Sequence, residues 1–170
     1  MDEIFWDGIA VEPVGAVWAA VRGQKLMAVQ IGSDADGFSQ MLTNLYDSKL
    51  TRSKDQTAPL IWQIEAYLHG ERKTFEIQIE WAVMSAFQKK VLQAVYAIPY
   101  GETRSYGQIA DQVGMPKAAR AVGRANATNP IPLVIPCHRV IGADGSLRGY
   151  GSGEGIQTKA WLLQLEKGIR

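Results

Sequence analysis

With 170 residues, 46% of them apolar, the chain has enough hydrophobic side chains for one domain or two small ones and is expected to fold as a soluble globular protein. Its one cysteine excludes an internal disulfide, and with only His69 and His138 beside it no zinc site and no metal are expected; a reducing cytoplasmic compartment fits best, nucleoid-associated or, in a eukaryote, nuclear. The net charge of +1 conceals nine Lys/Arg against twelve Asp/Glu over residues 1–100 and nine against five over 101–170, so a polyanion would prefer the C-terminal half, with modest affinity.

The opening MDEIFWDG has no basic stretch ahead of an apolar run, and nowhere do about 18 apolar residues run together, so neither secretion nor membrane insertion is expected. GAVWAAV and KLMAVQIG, joined by RGQ, predict a hairpin. A helix is expected around 38–46, then a polar loop to residue 57. In PLIWQIEAYLHG the apolar residues Leu60, Ile61, Ile64, Tyr67 and Leu68 recur at helical spacing, with Pro59 at the start and Gly70 at the stop. FEIQIEW alternates Phe75, Ile77, Ile79 and Trp81 with polar residues, the period of a half-buried strand.

The pattern then changes, which puts a boundary near 82–86. Ser85 and Gln88 form the signature of a capping box for a helix running to about Ala97, and Ser105 and Gln108 repeat it for a short helix stopping at Gly114. Pro116 stands where the first turn of another helix would begin, so these two short helices make a helix-turn-helix candidate. PLVI is the next strand candidate, and IQTKAWLLQLEKG is a final helix ending at Gly168.

In PKAARAVGRANA, helical spacing puts Ala118, Ala121, Val122 and Ala125 on an inward apolar face. The opposite ridge, Ala119, Gly123 and Ala127, is almost bare, flanked by Arg120 and edged by Lys117 and Arg124. Such a ridge suits close approach to phosphates, including a narrow minor groove; tight packing on a neighbouring helix explains the small residues equally well.

Cys137 sits in LVIPCHRVIG, followed directly by His138 and Arg139. A cysteine attacks as thiolate, so a reactive one needs a base or a positive environment; a single buried Cys is otherwise inert packing, and His138 and Arg139 otherwise a solvated turn. Direct contact between Cys137 and His138 requires a turn, for which Pro132 and Pro136 are suited, or a bridging water. Glu166 is a candidate to orient the histidine.

Together, IPYGETRSYGQIA, PKAARAVGRANATNP and LVIPCHRVIGADGSLRGYGSG resemble the O6-alkylguanine-DNA alkyltransferases, over roughly residues 84 to 167. The resemblance implies an α+β protein: an N-terminal domain, residues 1–83, with antiparallel sheet and helices, and a helical C-terminal domain, 84–170, with a winged helix-turn-helix. It implies a monomer, without cofactor or membrane attachment, that binds alkylated double-stranded DNA in the minor groove, flips the damaged guanine out and moves its alkyl group irreversibly onto Cys137. His138, through a water and oriented by Glu166, would take the thiol proton, and Tyr106 would donate to the departing guanine. Arg120 would fill the vacated space, with Ala119, Gly123, Lys117, Arg124 and Ala127 on the DNA face and Asn129 as hinge. Backbone groups of Cys137 and Val140 would read the guanine, and Tyr150, Gly151 and Ser152 would wall the pocket. The loop after Tyr150 is about two residues longer than in some relatives, and MSAFQKKVL departs from the usual family stretch. The competing readings are a non-catalytic damage-binding module that signals to other repair factors and a cysteine hydrolase using Cys137 and His138.

Overall fold

Ile4 and Trp6 stand two residues apart, and the computed structural model, which describes residues 2–168, buries both on one face of a strand, β1 (Glu3–Val11). The alternating burial stops at Gly8, where a Cβ would fall inside the ring of Trp18 on the neighbouring strand; only glycine lets the two approach. The expected hairpin is β2 (Gly15–Arg22) and β3 (Lys25–Ile31), turning at Gly23 with φ 57°.

The chain divides into two units, residues 1–83 and 84–170. In the first, five strands are ordered β4-β1-β2-β3-β5. The three central strands pair antiparallel as expected, but β4 (Lys49–Arg52) joins β1 and β5 (Gln78–Ile79) joins β3 in parallel, so the sheet is mixed. FEIQIEW therefore contributes two paired residues rather than a full strand, because β3 offers it a partner only at Lys25 and Leu26. The polar stretch before residue 57 is not a loop: after β4, Ser53 caps α2 (Lys54–Leu68) by accepting from the Gln56 amide, so the helix begins a turn and a half before Pro59. α1 (Ala35–Leu45), capped by Asp34, lays Phe38 and Leu42 on the sheet, where Trp6, Trp18 and Phe38 pack with centroids 6.0 to 6.3 Å apart.

In the second unit α3 (Ala86–Tyr96) and α4 (Tyr106–Gln112) both pack on α5 (Ala119–Ala127). Ser105 and Gln108 form the complete reciprocal capping box. At α3 only half of one forms: Ser85 accepts from the Gln88 amide, but the Gln88 side chain donates instead to Thr128 and the carbonyls at the end of α5, tying the two helices together. α5 begins at Ala119, after a turn over Pro116 and Lys117. A two-stranded parallel ladder, β6 (Arg104–Ser105) with β7 (Val140–Ile141), holds the start of α4 beside the segment that follows the cysteine. α6 (Ile156–Glu166) closes the unit, with Gly168 at φ 74° just past its end. Among the described residues no helix is long and apolar enough to cross a membrane, and no group of His, Cys, Asp and Glu could hold a metal ion.

Candidate active site and nucleic-acid interface

PLVI does not form a strand. The Ile135 amide donates back to the Ile131 carbonyl at 2.9 Å, Leu133 adopts the left-handed region at φ 71°, and the chain enters a single 3-10 turn, Cys137–Arg139. Two prolines and a left-handed residue rule out a ladder. Asn129 fixes this approach from both sides, accepting from the Ile131 amide at 2.9 Å and donating to the Ile135 carbonyl at 2.9 Å. The hinge position is therefore a clasp on the segment that carries the cysteine.

The turn replaces the alternation of a strand, and all three of its side chains are buried, so His138 and Arg139 are not a solvated turn. Their partner is Glu166 at the end of α6. His138 Nε2 lies 2.8 Å from Glu166 Oε1, and Arg139 donates from Nε and Nη2 to the same carboxylate at 2.7 to 3.1 Å. The Gly101 amide adds a further bond at 3.1 Å, while Arg139 Nη1 holds the Ile98 carbonyl at 2.6 Å and the guanidinium lies over Tyr100. Arg139 gives this buried carboxylate a counter-charge, and the donors around it reach both of its oxygens. Burial lowers the pKa of His138 below 6.5, and Glu166 opposes that shift. The imidazole is thus neutral near pH 7, with Nε2–H donating to Glu166 and Nδ1 the basic nitrogen.

Cys137 is 4% exposed, and burial pushes its thiol up to about 11; a hydrogen bond from Asn129 and the charge of Lys159 work against that rise. At rest it is a thiol, and a thiolate must be made by proton transfer. Lys159 is wholly buried and lowered to about 8 by desolvation. Its Nζ donates to the Val140 carbonyl at 2.6 Å and the Arg148 carbonyl at 2.8 Å, and lies 3.5 Å from the Tyr106 hydroxyl. Tyr106 donates to the same Arg148 carbonyl at 3.0 Å; burial and the neighbouring Cys137 raise its pKa, so it keeps its proton. The Cys137 carbonyl accepts from Asn126 Nδ2 at 3.1 Å and from the Val140 amide. At both positions whose backbone groups are expected to read a base, the carbonyl is therefore held by a buried side chain.

On α5, Val122, Ala125 and Asn126 are the buried positions, whereas Ala118 and Ala121 are only half-buried: the inward face is rotated toward Asn126. The opposite ridge faces a cleft of about 420 Å³ lined by Tyr106, Ala119, Arg120, Gly123, Arg124, Ala127, Arg148 and Gly149. The small residues therefore border open space as well as packing; a Cβ at Gly123 would meet the Tyr106 ring only at 3.8 Å, an ordinary contact. Lys117 is exposed in the turn before α5 and does not line the cleft. Tyr150 is buried, with burial and Cys137 both raising its pKa, and Gly151 runs so close to α5 that a Cβ would lie 3.1 Å from the Ala127 carbonyl; Ser152 is half-buried beyond it.

Among the buried polar residues that were not in the expected site, Arg139, Lys159 and Asn126 bond the turn of the cysteine or its neighbours. Arg139 is visible next to the histidine, as part of a positive environment for the thiol or of a solvated turn, and sequence gives it no specific role. Lys159 and Asn126 left a weaker signal, a cation and an amide at positions whose helical neighbours one turn away, Leu162 and Val122, are apolar.

Comparison with known proteins points to one family. The family model described as 6-O-methylguanine DNA methyltransferase, DNA binding domain, matches residues 86–168. A methylated-DNA–protein-cysteine methyltransferase of Mycobacterium leprae is 54% identical over 110 residues, 65% of this chain and 65% of its own length. One from Mycobacterium bovis is 46% identical over 140 residues, 77% of this chain and 83% of its own length. The crystal structure of Mycobacterium tuberculosis OGT in complex with DNA superposes with a TM-score of 0.82 at 40% identity, over 96% of this chain and 93% of the other.

Proposed function

Because the chain belongs to the methylated-DNA–protein-cysteine methyltransferase family, we propose that it repairs O6-alkylguanine in double-stranded DNA by moving the alkyl group onto its own Cys137. The observation that carries this reading is the buried Cys137–His138 turn backed by Glu166. A thiol raised to about 11 cannot react as it stands, and the neutral histidine beside it, held by a carboxylate, supplies the base.

The reaction is a displacement. Sγ of Cys137 gives its electron pair to the alkyl carbon, the bond from that carbon to O6 breaks, and the pair moves into the guanine ring. The thiol proton passes, through a water, to Nδ1 of His138, and the imidazolium formed is stabilised by Glu166. Tyr106 donates to the guanine as negative charge grows on it, exchanging its bond to the Arg148 carbonyl for one to the base. The carbonyls of Cys137 and Val140 read the guanine edge, and Tyr150, Gly151 and Ser152 wall the pocket.

A guanine stacked in a duplex cannot reach a buried thiol, so the nucleotide is extruded. The bare ridge of α5 follows the minor groove, Arg120 occupies the gap, and Lys117 and Arg124 meet phosphates. A thioether is not hydrolysed, so each protein molecule, acting as a monomer, reacts once.

Intact and peptide mass spectrometry after incubation with a duplex containing O6-methylguanine tests this. One methyl group on Cys137 with guanine restored is expected; a protein that binds the duplex and stays unmodified would make it a damage-binding module instead.

A further inference from the structure

The cleft beside α5 has a second wall. Its lining includes three arginines, Arg120 and Arg124 from the helix and Arg148 from the loop after β7, and no carboxylate. Arg148 differs from the other two in how it is held. Its carbonyl is pinned by Tyr106 at 3.0 Å and by Lys159 at 2.8 Å, so the backbone that carries it is fixed from inside the unit. Its side chain is 68% exposed and braced only at its base: Nε donates to Ser146 Oγ at 3.1 Å, and Nη2 stands 4.0 Å from Asp144 Oδ2. Asp144 is engaged with the Ser146 amide and hydroxyl at 3.0 and 2.6 Å, which lower its pKa and make it part of the turn rather than a strong partner for the arginine. The result is a guanidinium aimed by a tight turn, weakly neutralised, on the rim of a cationic cleft.

We propose that Arg148 is a further DNA contact, taking a backbone phosphate of the strand whose nucleotide enters the cleft. This rests on the DNA-repair reading above. A nucleotide that leaves the stack carries its phosphate with it, and a cleft that admits the one must neutralise the other. The α5 arginines stand on one wall; Arg148 supplies a cation on the other, and its planar fork matches a phosphodiester. The phosphate displaces the 4.0 Å contact to Asp144 and keeps the Ser146 brace.

The test is the salt dependence of the duplex concentration that gives half-maximal methyl transfer in single-turnover experiments, using a short duplex with one O6-methylguanine. Each neutralised phosphate contributes about 0.9 to the slope of log affinity against log salt. Arg148→Gln is expected to raise the half-saturating concentration and reduce the slope by about 0.9, while Arg148→Lys restores the slope. An unchanged slope in Arg148→Gln, with Arg124→Gln reducing it, would overturn the Arg148 contact and leave the cleft as a DNA site. A wild-type protein whose half-saturating concentration does not depend on salt would overturn the DNA reading of the cleft itself.

Discussion

His138 and Glu166 meet at 2.8 Å where solvent does not reach, both side chains fully buried, and the same carboxylate holds Arg139. One group therefore serves two functions, orienting the base and neutralising a buried cation. Glu166→Gln separates them from the rest of the site while keeping the shape. It should slow methyl transfer by about 100-fold or more, within the range of general-base assistance. It should also cost about 3–5 kcal/mol of stability, because Arg139 is left without a counter-charge. Single-turnover rates and urea unfolding measure the two; an unaltered rate in a folded variant would remove Glu166 from the mechanism.

The pH dependence follows from the directions of the pKa shifts. His138 is lowered from 6.5, so the rate should hold as pH falls through 6.5 and drop only below it, when the base is protonated. Stability behaves similarly on the acid side. The unfolded chain takes up a proton at 6.5 that the folded chain refuses, so stability is lost between 6.5 and the lowered folded value, at up to about 1.4 kcal/mol per pH unit. On the alkaline side Cys137, raised from 9.0 to about 11, has the opposite sign: its contribution is complete below 9.0 and lost as pH rises through 11. Urea titrations across this range should show both flanks, and Cys137→Ala should leave the acid flank in place while reducing the alkaline one, to which the raised Tyr106 and Tyr150 also contribute and which the lowered Lys159 opposes.

Arg120 lines the cleft from an exposed position on α5. If it fills the space of an extruded nucleotide, Arg120→Ala should slow repair of a paired duplex much more than transfer from the free alkylguanine base, which needs no extrusion. Equal slowing on both substrates, followed by mass spectrometry of Cys137, would place the arginine in the chemistry instead.

The N-terminal unit offers a stability prediction with no catalytic component. Gly8→Ala drives a methyl group into the ring of Trp18, which donates to the Ser33 carbonyl at 2.7 Å and stacks on Phe38. Relief requires Trp18 to move, at a cost of about 1–3 kcal/mol. The denaturation midpoint should fall accordingly; no change would mean that the β1–β2 approach has slack.

How much of this could be read from the chain depends on whether the deciding partner lies nearby in sequence. The Ser105–Gln108 box, the Gly114 and Gly168 stops and the β2–β3 turn are local, and they form as their residues suggest. Ser85–Gln88 carries the same signature, yet Gln88 finds Thr128 forty residues away and leaves its own cap half made. FEIQIEW has the alternation of a strand, but a strand also needs an edge to join, and β3 provides two residues of it. β1 was hidden by Gly8, whose absent side chain breaks the pattern in order to admit Trp18. In the site, Cys137 and His138 announce themselves by type and adjacency. Arg139 reads as either a charge near the thiol or a solvated turn until the Glu166 carboxylate 27 residues on is brought against it, and Lys159 stays inconspicuous until two backbone carbonyls close around it.

The protonated state of Cys137 also bears on how long the protein lasts before use. Peroxides and stray electrophiles attack thiolates that are exposed, and the products of deeper oxidation are not reversed. A protein with a single acceptor and no means of regenerating it loses its entire capacity to one such accident. Cys137 is 4% exposed and keeps its proton at rest, with its base, His138, already in the same buried turn, so it offers oxidants little thiolate and little access. The burial that makes the nucleophile weak at rest is therefore what preserves it for the one reaction it can perform.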